Sequence, residues 1–443
     1  MNLGKDEKRW YRRRPFVSFF LILVCGLALR IFLSMFLTYM PDFGAWTGWG
    51  NQLSSAGFGE FYDRYWCDYM PGYLYVLWFL DNVHRALPGI PVEILFKLPA
   101  NLADFGISVL IFLSLKLITS SRNAMIASVV YLFNPASLSN STFWGQVDSF
   151  HTLPILLSVY LGLRRNFILS GVFAALAFMI KPQTLVIFPL IGFLGLKTLF
   201  ESRKLTVKAL LPSVEIILAA LITAFVVTLP FIWDGIDSVS YLITAPFDLV
   251  RERFSAAYGQ YWASSLNAFN FWGAVAMWVP DDTKFLGVTY RNIGTFIFGA
   301  VYAIIGGLLI RFAAGLRSKD LSEYGYYVFE AITLVLFTLY LFVTRAHERH
   351  LLPTIVFFTL ITFRTWVFWY IYAVVSCIYA ANMVYSYIQL TTNYEGVPAE
   401  YSNYFIPGIF SLYLIGYIIV LLDFVVSTAK HENSFNTSAA RTQ

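Results

Sequence analysis

The chain reads as an all-α, polytopic membrane protein: a transmembrane helical bundle of about twelve spans, with short external surface helices after the first. Three observations carry this. Apolar residues make up 58% of the 443 residues and charged ones only 13%, where a soluble chain carries roughly a quarter charged. Apolar runs of about twenty residues, the length that crosses a hydrocarbon core, recur from end to end. Lys and Arg gather in alternate loops, as they do on the cytoplasmic side of membrane proteins. The net charge of +5 therefore implies no nucleic-acid partner. Cys25, Cys67 and Cys377 have no paired spacing and suggest neither a metal motif nor a disulfide framework.

In chain order, residues 1–14 form a basic cytoplasmic N-terminus containing Lys5, Lys8, Arg9 and Arg12 to Arg14. The apolar run Pro15 to Met40 is long enough to span, and no small-residue cleavage site follows it, so it reads as a retained anchor. Residues 15–428 make the transmembrane domain. Within it, 41–93 is an external loop opening on Asp42, and Trp46 and Trp49 stand at the spacing of an interfacial helix. Residues 71–87 are apolar but short. If they crossed, the basic pairs Lys116 with Arg122 and Arg164 with Arg165 would face outward. So would the group Lys197, Arg203, Lys204 and Lys208, the group Arg311, Arg317 and Lys319, and Arg364. The stretch is therefore expected on the external surface or re-entrant.

Further spans are expected over 94–115, 123–139, 152–163, 167–180, 183–197, 208–230, 292–312, 326–343, 351–363, 365–388 and 405–427. Those near 152–163 are short enough to imply tilt or re-entrance. Residues 232–290 form a second external loop whose aromatic and polar content suits a substrate mouth or, more simply, a solvated aromatic belt. The polar tail, 429–443 with Lys430 and Arg441, has the composition of a disordered cytoplasmic segment.

Several polar residues fall on the external side. Lys181 interrupts two apolar runs and is followed by the helix-breaking Pro182 and by Gln183. A lysine near a membrane interior either meets an anion or snorkels to the interface. Arg345, His347 and Arg349 alternate between two spans and could converge on phosphate oxygens, or form an ordinary polar loop. His347-Glu348-Arg349-His350 is one residue too short for the HExxH zinc pattern. Trp144, Gln146 and Asp148 could stack on and hydrogen-bond a sugar, although Asp148 also suits a helix N-cap, and His151 shares its helix face. Asp104 and Lys97, two turns apart, suggest a relay or a buried structural role. Asp42 could equally be a plain helix-end carboxylate. Asn140-Ser141-Thr142 is a glycosylation pattern too close to the membrane to be read.

Taken in order, Asp42, Tyr69-Met70-Pro71-Gly72-Tyr73, Trp144-Gly-Gln-Val-Asp-Ser149, Lys181-Pro182-Gln183, Asn267-Ala-Phe-Asn-Phe-Trp272 and His347-Glu-Arg-His350 resemble the GT-C superfamily of integral-membrane glycosyltransferases. The nearest likeness is to the mannosyltransferase-like group related to the enzyme adding the second mannose of GPI anchors. That group often has Tyr-Pro-Pro where this chain has Tyr69-Met70-Pro71, and His-Glu-Arg-Tyr where it has His350. These departures bear on substrate more than on class.

The resemblance implies transfer of a hexose, mannose by preference, from a polyprenyl- or dolichyl-phosphate sugar to a glycolipid, glycan or protein acceptor, with inversion. It implies Asp42 as the base, Lys181, Arg345 and Arg349 holding the leaving phosphate with His347 assisting, and no metal or other cofactor. Trp144, Gln146, Asp148, Gln183, Asn267 and Asn270 would orient sugar or acceptor. The protein would lie in the plasma membrane of a prokaryote or the endoplasmic reticulum of a eukaryote, with its site on the external or lumenal face. A lipid-linked sugar transporter or flippase and a non-catalytic scaffold subunit are the competing classes.

Overall fold

The computed structural model describes residues 5–202, 206–315 and 321–440. Arg203, Lys204, Arg317, Lys319 and Arg441 lie outside the described residues. The first helix, α1 (Lys5–Leu33), passes through Pro15 without a break. The short helices α2 (Met40–Ala56), α3 (Phe61–Arg64) and α4 (Pro71–Ala86) follow. Both α2 and α4 have a proline in their first turn, where its missing N–H costs nothing. Next come α5 (Val92–Leu115) and α6 (Ser121–Leu132).

The unbroken span expected over 123–139 does not form. Pro135 disfavours a helical residue before it, and the Asn134 side chain accepts from the Ala136 N–H at 2.7 Å. A single turn, α7 (Pro135–Ser137), restarts the chain, and a π-helical segment, Leu138–Trp144, carries it to Gly145.

Four helices then run back and forth: α8 (Asp148–Leu163), α9 (Phe167–Ile180), α10 (Phe188–Ser202) and α11 (Val207–Ile232). A 3₁₀ turn, Pro182–Ile187, leads into α10. The long connection after α11 holds α12 (Val239–Gly259), β1 (Ser265–Leu266), α13 (Phe271–Ala276) and the hairpin of β2 (Lys284–Phe285) and β3 (Val288–Thr289). Then come α14 (Tyr290–Gly315), α15 (Leu321–Phe342), β4 (Ala346–His347), α16 (Leu352–Ile361), α17 (Trp366–Thr391) and α18 (Ala399–Ala440). β4 pairs in parallel with β1. With no glycine or proline after Gly416 to stop it, α18 continues as helix through residues whose polarity suggests disorder.

Seven helices among the described residues are long and apolar enough to cross a membrane, lying in α1, α5, α11, α14, α15, α17 and α18. This is a predominantly helical, membrane-embedded protein. At its centre α16 is buried at every position and α15 over 83% of its apolar window, against 17% for α1 and α14. The outer helices present Phe20, Leu21 and Phe296 outward, as lipid-facing surfaces do.

Two buried cations tie the helix ends together. Lys97, in α5, donates to the Ser34 and Leu37 carbonyls at the end of α1 and to those of Thr142 and Phe143. The chain from α1 to α5 therefore leaves and re-enters the bundle at one end. Arg30 pairs with Asp104 at 2.7 Å, and Asp104 also accepts from Tyr131 and Ser149, each at 2.6 Å. Asp104 is thus structural, and no relay to Lys97 forms. Trp46 and Trp49 face inward rather than toward an interface. Their indoles donate to the Tyr69 hydroxyl at 3.2 Å and the Trp66 carbonyl at 2.9 Å.

Candidate active site

Loops far apart in sequence meet at this end of the bundle around a cavity of about 310 Å³. Lys181 enters it because Pro182 forces the preceding residue out of helical geometry, leaving Lys181 extended at φ −140°, ψ 124°. Its ammonium meets Asp148 Oδ1 at 2.5 Å, and Asn140 donates to Asp148 Oδ2 at 3.2 Å. Asp148 is the first residue of α8 and does not N-cap it; Val147 holds that position. His151, one turn on, faces Thr184 Oγ1 at 2.8 Å. Gly72 lets α4 approach this corner, since a Cβ there would stand 2.5 Å from the Met179 carbonyl.

The segment 345–350 forms another wall. The β1–β4 pairing fixes its course, and His347 and His350 brace each other. The His347 N–H donates to His350 Nδ1 at 3.2 Å, and the His347 ring accepts from the backbone of His350. His347 Nε2, buried and without a protein partner, therefore carries the ring proton. Burial, together with Arg349 and Lys181, holds His350 down to about 3, so it is neutral at pH 7. Its Nε2 faces the Gln183 amide at 3.0 Å. Arg349 donates to Glu348 Oε1 at 3.2 Å, while its Nε is buried without a partner.

Asp42 lies beside the cavity rather than in its wall, in the first turn of α2, where the helix dipole favours a carboxylate. Trp144 Nε1 donates to its Oδ2 at 3.0 Å, and Gln146 Nε2 donates to the same oxygen. Trp144 and Gln146 are thus engaged in holding Asp42. The Asp42 charge acts on Asp68, Lys181 and Arg349, which all line the cavity.

Three residues singled out from sequence are committed elsewhere. Asn267 and Asn270 do not line the cavity. Asn267 accepts from the Trp278 indole at 2.9 Å. Asn270 caps α13, accepting from Gly273 N–H at 2.8 Å and donating to the Tyr340 carbonyl at 2.9 Å. Arg345 does border the cavity, but its guanidinium binds Asp281 at 2.7 and 3.1 Å and stacks 4.4 Å from the Tyr258 ring. That grip holds Arg345 at φ 64°, a conformation its side chain alone disfavours.

The cavity also contains residues that sequence reasoning did not single out: Asp68, Tyr69 as more than a motif position, and Tyr261. Asp68 stands just before Tyr69-Met70-Pro71, and Asp42 just after the same triplet, Tyr39-Met40-Pro41. Among the described residues, no group of three His, Cys, Asp or Glu side chains is arranged to hold a metal ion. The chain matches no known family profile and no curated protein. Fold and site together define a membrane-embedded helical protein with one charge-lined, part-apolar cavity at one end of its bundle.

Proposed function

We propose that the protein is an inverting GT-C-type glycosyltransferase, moving a hexose, mannose by preference, from a polyprenyl- or dolichyl-phosphate donor to an acceptor hydroxyl on the external or lumenal face. The observation that carries this reading is the mixed lining of the cavity. Lys181, Arg349 Nε and His347 Nε2–H offer donors. Ile180, Leu185, Ile187, Leu336, Leu339 and Val343 add apolar lining. A phosphate on a hydrocarbon chain matches both. The ordered motifs of the sequence support the class.

In this mechanism Asp42, oriented by Trp144 and Gln146, takes the proton of the acceptor hydroxyl. The acceptor oxygen bonds to the anomeric carbon from the face opposite the phosphate. The bond from that carbon to the phosphate oxygen breaks, and its electron pair leaves with the lipid phosphate, whose charge Lys181, Arg349 and His347 meet. The reading requires no metal. It also takes about twelve crossings. Seven are the long apolar helices; α6, α8, α9, α10 and α16 supply the rest, α10 being lengthened by the adjoining turn Pro182–Ile187.

The test is transfer from a panel of labelled polyprenyl-phosphate hexoses by purified protein in nanodiscs, with Asp42→Asn alongside. Transfer by the wild type, reduced about 10²- to 10⁴-fold in the variant with donor binding retained, is expected. Equal rates would remove Asp42 from the chemistry. Binding of lipid phosphate without transfer from any donor would favour a lipid transporter.

A further inference from the structure

Asp68 stands apart from the other acids in and around the cavity. Asp148 is paired with Lys181, Glu348 with Arg349, and Asp42 accepts from Trp144 and Gln146. Asp68 also lines the cavity, yet among the described residues no side chain donates to it and no cation lies within ion-pair distance. Its interactions are with its own backbone N–H and, at longer range, with Arg349, Asp42 and Lys181. An ionised carboxylate offers only acceptors, so a ligand that pairs with it must bring donors. A phosphate brings none and would be repelled. The cavity therefore combines donors for an anion, at Lys181, Arg349 and His347, with an unpaired acceptor, Asp68, that suits hydroxyl groups.

Two aromatic side chains line the same cavity. Tyr69 follows Asp68 directly, and its hydroxyl accepts from Trp46 Nε1 at 3.2 Å, which leaves its own proton free to donate. Tyr261 also lines the cavity, its ring meeting that of His347 edge to face at 4.4 Å between centroids. A carboxylate in a cavity that aromatic side chains also line suits a sugar ring, whose C–H face stacks while its hydroxyls donate. Trp144 and Gln146, expected from sequence to make these contacts, are engaged with Asp42.

We infer that Asp68, Tyr69 and Tyr261 form the subsite that recognises the hydroxyl-bearing sugar head of the lipid-phosphate substrate, with Asp68 as its main hydrogen-bond acceptor. This rests on the glycosyltransferase reading above. Burial pushes the Asp68 carboxyl up, and contact with sugar hydroxyls would favour its charged form again.

The experiment measures equilibrium binding of two probes to protein in nanodiscs: a polyprenyl phosphate, and the mannosyl phosphate ester of the same polyprenol. The wild type is expected to prefer the sugar-bearing probe. Asp68→Ala should lose about tenfold to a hundredfold of that preference, the worth of one or two hydrogen bonds to a charged group, while its affinity for the plain phosphate does not fall. Lys181→Met should weaken both probes together. Should Asp68→Ala not fold, Asp68→Asn carries the same test, with a smaller loss. Full preference in the Asp68 variants, or equal loss of both probes, would overturn the inference even if the wild type transfers sugar. A wild type that binds neither probe would overturn the glycosyltransferase reading, and this subsite with it.

Discussion

Asp42 accepts two hydrogen bonds on one oxygen and leaves the other free, which fixes the direction of its carboxylate. If it acts as the base, Gln146→Leu should lower turnover about ten- to a hundredfold by loosening that aim, with little change in donor affinity. The Lys181–Asp148 pair invites a sharper test. Their side chains are 11% and 3% exposed, so Asp148→Asn strands a buried charge, at a cost of about 3–5 kcal/mol. Calorimetry should show a lowered Tm, largely restored in the Asp148→Asn/Lys181→Met double variant. His350 adds a pH dependence. Its pKa is about 3 when folded and ordinary when unfolded, so the unfolded chain binds more protons between those values. Its stabilisation is complete above the unfolded value near 6.5 and falls as pH drops below it. Tm should decline from pH 7 to pH 5, less steeply in His350→Gln. Lys181 was legible in the sequence because a charge followed by proline between apolar runs has few roles. Its partner was not, because a pairing between loops leaves no local spacing. Asn267 and Asn270 misled because an asparagine that holds a turn and one that holds a sugar look the same.

Among the elements, the π-helical segment and the residue that ends it matter most. Gly145 sits at φ +88°, and a Cβ there would stand 3.0 Å from Lys97 Cγ. Gly145→Ala should cost about 1–3 kcal/mol and shift Trp144 and Gln146 away from Asp42, so activity should fall more than Tm alone explains. An assay at a temperature where the variant remains fully folded separates the two effects. The long helices were legible because length and apolarity are properties of a single stretch. The break after α6 was signalled by Asn134-Pro135, yet the apolar run around it suggested an unbroken span. The spacing of Trp46 and Trp49 was read correctly as helical, but spacing alone does not say whether a helix face meets lipid or protein.

At the scale of the whole molecule, the Lys97 contacts imply that α4 does not carry the chain across the membrane. Gly44→Cys and Gly89→Cys, introduced singly, should then react with an impermeant maleimide from the same side in oriented vesicles, and Asn166→Cys from the opposite side. Labelling of Gly44→Cys and Gly89→Cys from opposite sides would place α4 across the bilayer and invert everything after it. The charge pattern of the loops points the same way for residues 71–87, as a stretch that does not cross. The cavity was not legible in the sequence, since it depends on which loops touch. That dispersal of the site also has a consequence in time. Asp42 and Arg349 stand roughly three hundred residues apart, which at ~5–20 residues per second separates their synthesis by about 15–60 s. Asp148 and Lys181 emerge close together and can neutralise each other early, whereas Asp42 and Asp68 must wait until α15 has been made before Arg349 arrives. A ribosome stalled within that interval would leave a half-built membrane protein with its acids in place and its last cation missing, a state in which quality control could find it.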